Sequence, residues 1–316
     1  VHMGSILVIG STNIDNVVSV DHMPAVGETI LGSNLTENFG GKGANQAFAC
    51  GKLGAQTVFI SAVGKDELGA KAMQNLRMVN VNTDRVRICE TLPTGKAWIC
   101  VNSDGDNNIV VVTGANDACD RNWIAQNKDA IDECEIVMVQ LETPADGIWA
   151  AIEMAAREHK TVILDPAPAP KDGIPREVLS SITYLTPNET ELSFVSGMPV
   201  ETLEQIQAAA QKLVHMGVKN VLVTMGARGS MLVNAAGSKV YTAFKIDVVD
   251  STAAGDSFNA AFALGLLNED MTIDEAVEFA NAAAALATTR NGAQVSVPSA
   301  DEVRCFISKM SREGRT

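Results

Sequence analysis

The stretch Asp250-Ser251-Thr252-Ala253-Ala254-Gly255-Asp256 lies between two segments with different hydrophobic patterns. Residues 245–249 before it are predicted to be a β-strand, and the apolar face of the segment from Ser257 onward predicts an α-helix. The three residues before Asp256 are no larger than alanine, so backbone N–H groups can approach a ligand closely. Because the first N–H groups of a helix lack intrahelical partners and attract negative charge, the stretch predicts an anion-binding site.

Asp256 itself has two interpretations. In the first turn of the predicted helix, its carboxylate could take a proton from a hydroxyl that attacks a phosphoryl group bound at the anion site. It could equally cap the helix, since aspartate is common at helix starts. The spacing alone favours the cap, and the choice depends on the other motifs of the chain.

The composition limits the class of protein. The 316 residues are 46% hydrophobic, enough to bury a large core, and carry a formal net charge of −14 at pH 7. This acidic balance argues against nucleic acid or a membrane surface as partner, but a nucleotide needs only a local positive site and a metal. The cysteines show no Cys-x-x-Cys spacing, and neither a cationic signal-peptide start nor a membrane-length apolar run is found. A cytoplasmic protein is therefore expected.

Strand and helix patterns alternate along most of the chain. Residues 6–9 form a continuous apolar run, which is typical of a strand covered on both faces of a sheet. Further strands are predicted at residues 57–63, 136–141, 161–164, 182–185 and 221–224, and helices at residues 67–78, 145–158, 201–215 and 273–288. This order predicts an α/β fold with a doubly wound, mostly parallel sheet sandwiched by helices.

A second, smaller sheet is predicted outside the main one. Residues 17–39 have the mixed pattern of short exposed strands, and residues 94–113 contain Asp104-Gly105-Asp106, a turn signal for a β-hairpin. We expect one α/β domain over residues 4–312, within which segments at about 13–40 and 94–113 pair as a small β-sheet.

Polar residues follow the ends of five predicted strands. They are Asn13, Glu142, Asn188, Thr224 and Asp250. In open α/β sheets, ligands bind in the crevice outside the carboxyl ends of the strands. These positions therefore predict a ligand site on one rim of the sheet.

The loop Gly40-Gly41-Lys42-Gly43 matches neither a P-loop nor a dinucleotide fingerprint. The glycine four residues ahead of the Gly-Lys pair and the Ser or Thr after the lysine are missing, and the glycines are misplaced for a dinucleotide site. A tight turn would explain the glycines alone. Lys42 adds a charge, and Asn45 offers a donor and an acceptor to hydroxyl groups, so the loop is also a candidate site for a polar ligand.

Two further segments each have a structural and a functional interpretation. Asn188-Glu189-Thr190-Glu191 could start a helix, whose first turn favours acids, or its carboxylates could hold Mg²⁺ through water beside phosphates. Thr224-Met225-Gly226-Ala227-Arg228-Gly229 could be an ordinary hairpin loop, or its glycines could let a nucleotide lie against the backbone.

Residues 40–47, Gly-Gly-Lys-Gly-Ala-Asn-Gln-Ala, and the stretch from Asp250 to Asp256 resemble the two signatures of the ribokinase (PfkB-type) carbohydrate kinases. The resemblance extends from Ile6 to about Phe306. It includes Asn13-Ile14-Asp15, Gln140-Leu141-Glu142, Pro187-Asn188-Glu189-Thr190-Glu191 and Arg290-Asn291-Gly292-Ala293-Gln294. It implies ATP-dependent phosphorylation of the 5-hydroxyl of D-ribose, with Mg²⁺ and with K⁺ as an activating monovalent cation.

The resemblance also implies roles for individual residues. Asp256 would be the base, with the amides of Ala253, Ala254 and Gly255 around the phosphoryl group. The sugar would contact Asn13, Asp15, Gly41, Lys42, Gly43, Asn45 and Glu142. ATP would contact Asn188, Thr224, Gly226, Ala227, Arg228, Gly229, Gly255 and Asn281, with Glu191 near Mg²⁺ through water. The monovalent cation would be surrounded by Asp250, Thr252, Ala287, Arg290, Gly292 and Ser296, mostly through backbone carbonyls.

The resemblance implies a partner and leaves alternatives for the substrate. The small sheet would be a lid over the sugar and would join two copies into a homodimer. Asp165 stands where the family more often has Asn, and Ser251 where Thr is commoner. A kinase for 2-deoxyribose, another small sugar or a nucleoside is the nearest alternative. A non-catalytic sugar or nucleotide sensor is an alternative of a different class, because a fold does not fix a function.

Overall fold

The computed structural model describes residues 4–104 and 106–312, so Gly105 of the predicted hairpin turn lies outside the described residues. The strands in these residues are β1 (Ser5–Ile9), β2 (Asn13–Ser19), β3 (Ser33–Gly40), β4 (Gln56–Gly64), β5 (Val81–Asn82), β6 (Val86–Cys89), β7 (Gly95–Val101), β8 (Asn107–Val112), β9 (Ile136–Val139), β10 (Thr161–Leu164), β11 (Tyr184–Leu185), β12 (Asn220–Thr224), β13 (Ser230–Asn234) and β14 (Gly237–Tyr241). The α-helices are α1 (Lys42–Lys52), α2 (Glu67–Arg77), α3 (Arg121–Gln126), α4 (Lys128–Glu133), α5 (Ala145–Arg157), α6 (Arg176–Leu179), α7 (Glu189–Ser196), α8 (Leu203–His215), α9 (Ala254–Leu267), α10 (Ile273–Thr288) and α11 (Ala300–Arg312). Short 3₁₀ segments cover Gly114–Ala118, Gly226–Arg228 and Gln294–Ser296. Within the described ranges, no helix combines the length and the apolar character needed to cross a bilayer.

The main sheet is mostly parallel. Its strand order is β14-β13-β12-β11-β10-β9-β1-β4-β5, with β6 beside β4. Neighbouring strands are parallel from β12 to β5, whereas β12, β13 and β14 form an antiparallel edge. Side chains of β1 alternate between two cores: Ile6 and Val8 pack on the side of α9 and α10, Leu7 and Ile9 on the side of α5 and α8. Helices therefore cover both faces, which confirms the predicted doubly wound fold.

A separate small sheet, as predicted, has the strand order β3-β2-β7-β8. β2 pairs antiparallel with β3 and parallel with β7, so Asn13 lies beside Gly40 on one side and Gly95 on the other. β8 forms one edge and is exposed along its whole length. β1 ends at Ile9 and β2 begins at Asn13, so the inner end of the small sheet lies next to the rim where the main strands end.

The strand predicted at residues 245–249 is wrong. The chain there is irregular, and Val248 and Val249 are exposed. The N–H group of Val249 donates to the carbonyl of Thr288 at the end of α10 (2.8 Å), so the backbone is satisfied by a helix end and not by a neighbouring strand. The helix predicted from Ser257 onward is confirmed, with its start at Ala254.

Candidate active site

The N-terminus of α9 presents unpaired backbone donors. Its N-cap residue, Ala253, has a left-handed conformation with φ of 57°, and no side chain caps the helix. The N–H group of Ala254 donates to the carbonyl of Ser251 (3.2 Å), whereas those of Ala253, Gly255 and Asp256 have no acceptor in the described residues. Apart from its chain neighbours and the backbone of its own helix, a Cβ built on Gly255 would meet no atom within 4 Å, so this side of the turn is open. The geometry suits an anion at the helix start.

Asp256 does not cap α9, so the capping interpretation is wrong. The residue is only 6% exposed, and its two carboxylate oxygens accept hydrogen bonds from Asn45 Nδ2 and Gln46 Nε2, each at 3.1 Å. Burial raises the pKa of Asp256, while the charge of Lys42 and the two amide donors oppose the rise. A buried carboxylate with a raised pKa, oriented by amide donors, is suited to accept a proton.

Gln46 connects Asp256 to a second buried carboxylate, Asp165. Gln46 Nε2 donates to Asp165 Oδ2 at 2.9 Å, and Gln46 Oε1 accepts from Gln140 Nε2 at 2.6 Å. Burial raises the pKa of Asp165 to about 8, against the lowering effect of Lys42. Gln46 was not among the site residues predicted from the sequence. Its position directly after Asn45 in the glycine-rich motif was the signal that could have identified it.

Asn13 and Asp15 share one face of β2, because alternate residues of a strand point to the same side. Asn13 is buried, and its Oδ1 accepts a hydrogen bond from Asn116 Nδ2 at 2.8 Å. Burial, together with the charges of Glu142 and Asp256, raises the pKa of Asp15 to about 6. The structure therefore brings three of the predicted site carboxylates into one electrostatic cluster and adds Asn116, which no sequence motif indicated.

Glu142 organises the start of α1. One of its carboxylate oxygens, Oε2, accepts from the backbone N–H of Lys42 (2.9 Å) and from Ser11 Oγ (2.5 Å). Gly41 directly precedes the helix with φ of 87°, a conformation that residues with a side chain rarely adopt. Gly43 follows in the first turn and is buried. The glycine-rich loop is thus a tight turn whose helix start is held by the carboxylate.

Lys42 supplies the positive charge of the site. Its ammonium forms no ion pair with a carboxylate in the described part of the chain. Burial alone would lower the pKa of Lys42, but the charges of Asp165, Asp256 and Glu142 raise it, so the residue is protonated. A single cation among several carboxylates is available to an anionic group that enters the site.

Asn188 and Glu191, predicted to contact ATP and Mg²⁺, form a capping box at the start of α7. Glu191 N–H donates to Asn188 Oδ1 (2.8 Å), and Asn188 N–H donates to Glu191 Oε2 (2.9 Å). The helix-start interpretation of this segment is confirmed. A parallel bridge between Asn188 and Thr224 places this helix start beside the end of β12. Contacts with ATP and Mg²⁺ remain predictions.

The loop after β12 is a hairpin connection, as its structural interpretation predicted. Gly226–Arg228 forms a 3₁₀ turn, ends at Gly229 and joins the antiparallel strands β12 and β13. The Arg228 guanidinium pairs with Glu189 on α7. Asn281 on α10 donates to a serine hydroxyl at the start of β13 (2.9 Å). The predicted nucleotide residues are thus assembled from neighbouring elements, and their contact with a nucleotide remains a prediction.

Asp250 joins the loop before α9 to the loop after α10. Its Oδ1 accepts from the N–H (2.8 Å) and hydroxyl (2.6 Å) of Thr252, and its Oδ2 accepts from the N–H of Gly292 (2.8 Å). Burial alone would raise the pKa of Asp250, but these hydrogen bonds lower it below its usual value. An ionised carboxylate is the kind of oxygen ligand that a hard cation prefers, and the backbone carbonyls expected beside it remain a prediction.

The other residues predicted around the cation lie at the end of α10 and after it: Ala287 is in the last turn of α10, Arg290 follows the helix, and Ser296 ends the 3₁₀ segment Gln294–Ser296. The carbonyl of Ala287 accepts from the N–H of Arg290 (3.2 Å), and the Arg290 side chain pairs with Glu302. Ser296 Oγ donates to the carbonyl of Ala293 (2.7 Å). No cluster of three His, Cys, Asp or Glu ligands occurs in residues 4–104 and 106–312, and contacts of the predicted residues with a cation remain predictions.

The fold and the residues on the rim of its sheet agree with a carbohydrate kinase. The model of the pfkB family of carbohydrate kinases matches residues 3–300, and the chain belongs to this family. The resemblance found in the sequence motifs is thereby confirmed.

Within the family, the chain is similar to enzymes for pentose sugars. It is 36% identical over 303 residues to the ribokinase of Haemophilus influenzae, with 96% of this chain and 98% of that protein covered. It is 33% identical over 303 residues to the deoxyribokinase of Salmonella typhi, with 96% and 98% covered. The solved structure of Arabidopsis thaliana ribokinase complexed with ribose and ATP matches with a TM-score of 0.90 at 36% identity, covering 96% of this chain and 98% of that chain.

Proposed function

We propose that this chain transfers the γ-phosphoryl group of ATP to the 5-hydroxyl of D-ribose, giving ribose 5-phosphate and ADP. The observation that carries the proposal is the position of Asp256, a buried carboxylate beside open, unpaired N–H groups at the start of α9. Phosphoryl transfer to a hydroxyl is favoured by a carboxylate that accepts the hydroxyl proton and by a neighbouring site that binds the anionic phosphoryl group. The choice of ATP and ribose is supported by the relatives named ribokinase and by the Arabidopsis ribokinase complex with ribose and ATP.

Asp256 is the base in this reaction. It takes the proton of the 5-hydroxyl as the hydroxyl oxygen forms a bond to the γ-phosphorus and the bond from that phosphorus to the ADP oxygen breaks. The hydrogen bonds from Asn45 and Gln46 orient the carboxylate before the sugar binds. The unpaired N–H groups of Ala253, Gly255 and Asp256 stabilise the negative charge of the transferring group.

The sugar binds between the inner end of the small sheet and the rim of the main sheet. Carboxylates accept hydrogen bonds from its hydroxyls, and amide N–H groups donate to them. Closure of the small sheet as a lid excludes water, which would otherwise compete with the sugar as acceptor. The residues assigned to the sugar are Asn13, Asp15, Gly41, Lys42, Gly43, Asn45 and Glu142.

ATP binds along the neighbouring strand ends. Mg²⁺, when bound, would neutralise charge on the phosphates. Glu191 would hold it through water, because its second carboxylate oxygen is not used in the capping box. The loops joined by the hydrogen bond from the Gly292 N–H to the Asp250 carboxylate would hold a monovalent cation, whose charge would help to keep the start of α9 ordered. The residues assigned to ATP are Asn188, Thr224, Gly226, Ala227, Arg228, Gly229, Gly255 and Asn281.

The small sheet also supplies the surface for a homodimer. Its edge strand β8 exposes Ile109, Val110, Val111 and Val112, each between 49% and 63%. An exposed apolar edge strand pairs readily with another chain, so a second copy is the partner we propose. The cytoplasm is the compartment we propose, because the six cysteines are unpaired and four of them are buried.

The second candidate substrate is 2-deoxyribose, favoured by the similarity to the Salmonella deoxyribokinase. The two sugars differ by one hydroxyl, and Asn13 is the residue that we assign to its recognition. An unused buried donor costs about 1–3 kcal/mol, which corresponds to roughly ten- to a hundredfold in specificity.

The proposal is tested by steady-state ADP formation with a panel of pentoses, hexoses and nucleosides, in K⁺ and in Na⁺. We expect the highest kcat/KM for ribose, and a large loss in Asp256→Asn but not in Asp247→Asn, a control at an exposed position. ADP formation with a different sugar in preference to ribose would refute the substrate. No sugar-dependent ADP formation at all would refute the kinase and favour the sensor.

A further inference from the structure

Asn116 is a buried residue of the 3₁₀ segment Gly114–Ala118, only 1% exposed, whose side chain serves one short stretch of chain. Its Oδ1 accepts from the backbone N–H of Thr12 at 2.8 Å. Its Nδ2 donates to the carbonyl of Thr12 at 3.2 Å and to Asn13 Oδ1 at 2.8 Å. All three hydrogen bonds therefore act on the inner end of β2, where the sugar site begins.

The orientation of this amide is fixed by the backbone. The N–H of Thr12 can only donate, so the oxygen of the Asn116 amide must face it, and the nitrogen must face the other way. The nitrogen can only donate, so Asn13 must present its own oxygen to Asn116. The Nδ2 group of Asn13 is then left for a ligand. Asn13 consequently presents its donor to the pocket, while its oxygen faces Asn116.

Gly95 leaves the room for this contact. It lies opposite Asn13 in the register of β2 and β7. A Cβ at this position would lie 2.3 Å from Asn116 Nδ2 and 2.4 Å from Asn13 Oδ1, which is closer than atoms can approach. The missing side chain of Gly95 thus allows the 3₁₀ segment to reach the strand.

A donor at Asn13 complements the carboxylate of Asp15 on the same face of β2. A sugar hydroxyl has one proton to donate and lone pairs to accept. A hydroxyl that donates its proton to Asp15 still needs a donor of its own, and Asn13 Nδ2 supplies one. If Asn13 presented its oxygen instead, two acceptors would compete for a single proton.

We infer that Asn116 is a specificity-determining positioning residue, which locks the Asn13 amide as the hydrogen-bond donor to the 2-hydroxyl of the sugar. The inference rests on the proposed ribose kinase activity and extends it to the residue that sets the choice between ribose and 2-deoxyribose. Asn116 does not touch the substrate and acts only through Asn13.

The test is Asn116→Asp, which exchanges an NH₂ group for an oxygen. The introduced carboxylate still accepts from the N–H of Thr12, but it can donate neither to the Thr12 carbonyl nor to Asn13 Oδ1. The amide of Asn13 then turns to present its nitrogen to the carboxylate. We expect the ratio of kcat/KM for ribose over 2-deoxyribose to fall about tenfold, the size of one lost hydrogen bond, through KM for ribose with little change in kcat. Asn127→Asp is the matched control, since Asn127 is a buried asparagine outside this cluster.

A second variant covers the case in which Asn116→Asp does not fold. Asn13→Asp keeps an oxygen for Asn116 to donate to but removes the donor to the sugar, so it should lose the preference for ribose as well. In the Asn13→Ala background, Asn116→Asp should no longer change the sugar ratio. Ribose binding measured by calorimetry should weaken in Asn116→Asp in parallel with KM.

The results that would overturn the inference are distinct from those that would overturn the kinase. The role of Asn116 would be refuted if the unmodified chain is active and both Asn116→Asp and Asn13→Asp keep its preference for ribose. An equal loss for ribose and 2-deoxyribose in Asn116→Asp would also refute it, because the hydroxyl would then not be the group recognised. An unmodified chain that forms no ADP with ribose would refute the proposed function itself.

Discussion

Replacement of Asp165 by Asn should change how the stability of the fold depends on pH. Asp165 is 6% exposed, and burial raises its pKa from 3.8 to about 8 despite the nearby charge of Lys42. The carboxylates Glu191, Asp256 and Glu142 also face it and add to the rise. Because the folded pKa lies above the unfolded one, the folded chain binds the proton more tightly. The contribution of this group to stability is complete below about pH 4 and is lost as the pH rises to about 8.

The size of the effect follows from the difference between the two pKa values. One pKa unit corresponds to about 1.4 kcal/mol. The free energy of unfolding of Asp165→Asn, minus that of the unmodified chain, should therefore increase by about 1.4 kcal/mol for each pH unit. Over the interval from pH 4 to pH 8, the gain should total about 6 kcal/mol. Any constant effect of the substitution, such as a changed hydrogen bond from Gln46, shifts the whole curve and leaves its slope unaltered.

Urea unfolding of both proteins at intervals between about pH 4 and pH 8 measures this slope. Asp247→Asn, at an exposed position, controls for the substitution itself. Parallel curves for Asp165→Asn and the unmodified chain would show that Asp165 has the same pKa in the folded and unfolded states. That result would refute the argument from burial.

Three further predictions concern the base, the cation and the dimer. Asp256→Asn should lower turnover by roughly two orders of magnitude or more, because the base is lost. Ribose binding measured by calorimetry should change far less, because the shape of the side chain is kept. Near-normal turnover would show that Asp256 has only a structural role. Asp250→Ala removes the acceptor of the Gly292 N–H and should abolish the rise of activity with K⁺, and equal rates of the unmodified chain in K⁺ and tetramethylammonium would contradict the cation site. Val110→Glu places a charge on the exposed edge strand β8 and should convert a dimer to a monomer, as measured by light scattering. Glu37→Gln on β3 is the control. A mass of 33.3 kDa for the unmodified chain at micromolar concentration would show a monomer and exclude the dimer.

Sequence patterns predicted the parts of the fold that are set by burial. Strand β10 was predicted with both its ends, and α10 likewise, because a fully apolar strand and a long helix with one apolar face have a clear periodicity. Residues 245–249 show the limit of this reasoning. Their alternating pattern matches a strand, but the segment is exposed and its backbone is held by the end of α10, a contact that local sequence does not indicate.

The candidate site was predicted where a motif marks it and missed where only distant contacts do. Asp256 and Asn45 stand in two recognisable motifs, and the structure joins them by a hydrogen bond across 211 positions of the chain. Asn116 has no such motif. Its role arises from hydrogen bonds to residues 103 and 104 positions away, so the fold was needed to reveal it.

The structure orients Asp256 from two sides through amides whose direction is not free. On one side, Gln46 donates to the carboxylate, which leaves its oxygen for Gln140 Nε2. On the other side, Asn45 donates to the carboxylate, and its oxygen accepts from Gln294 Nε2 at 3.1 Å. A carboxylate can only accept, so both amides must turn their nitrogen toward it, and each partner behind them must donate in turn. Gln294 lies two positions after Gly292, whose N–H is held by the Asp250 carboxylate. The loop assigned to the cation and the base assigned to the sugar hydroxyl are therefore linked by one continuous set of hydrogen bonds and a two-residue span of backbone.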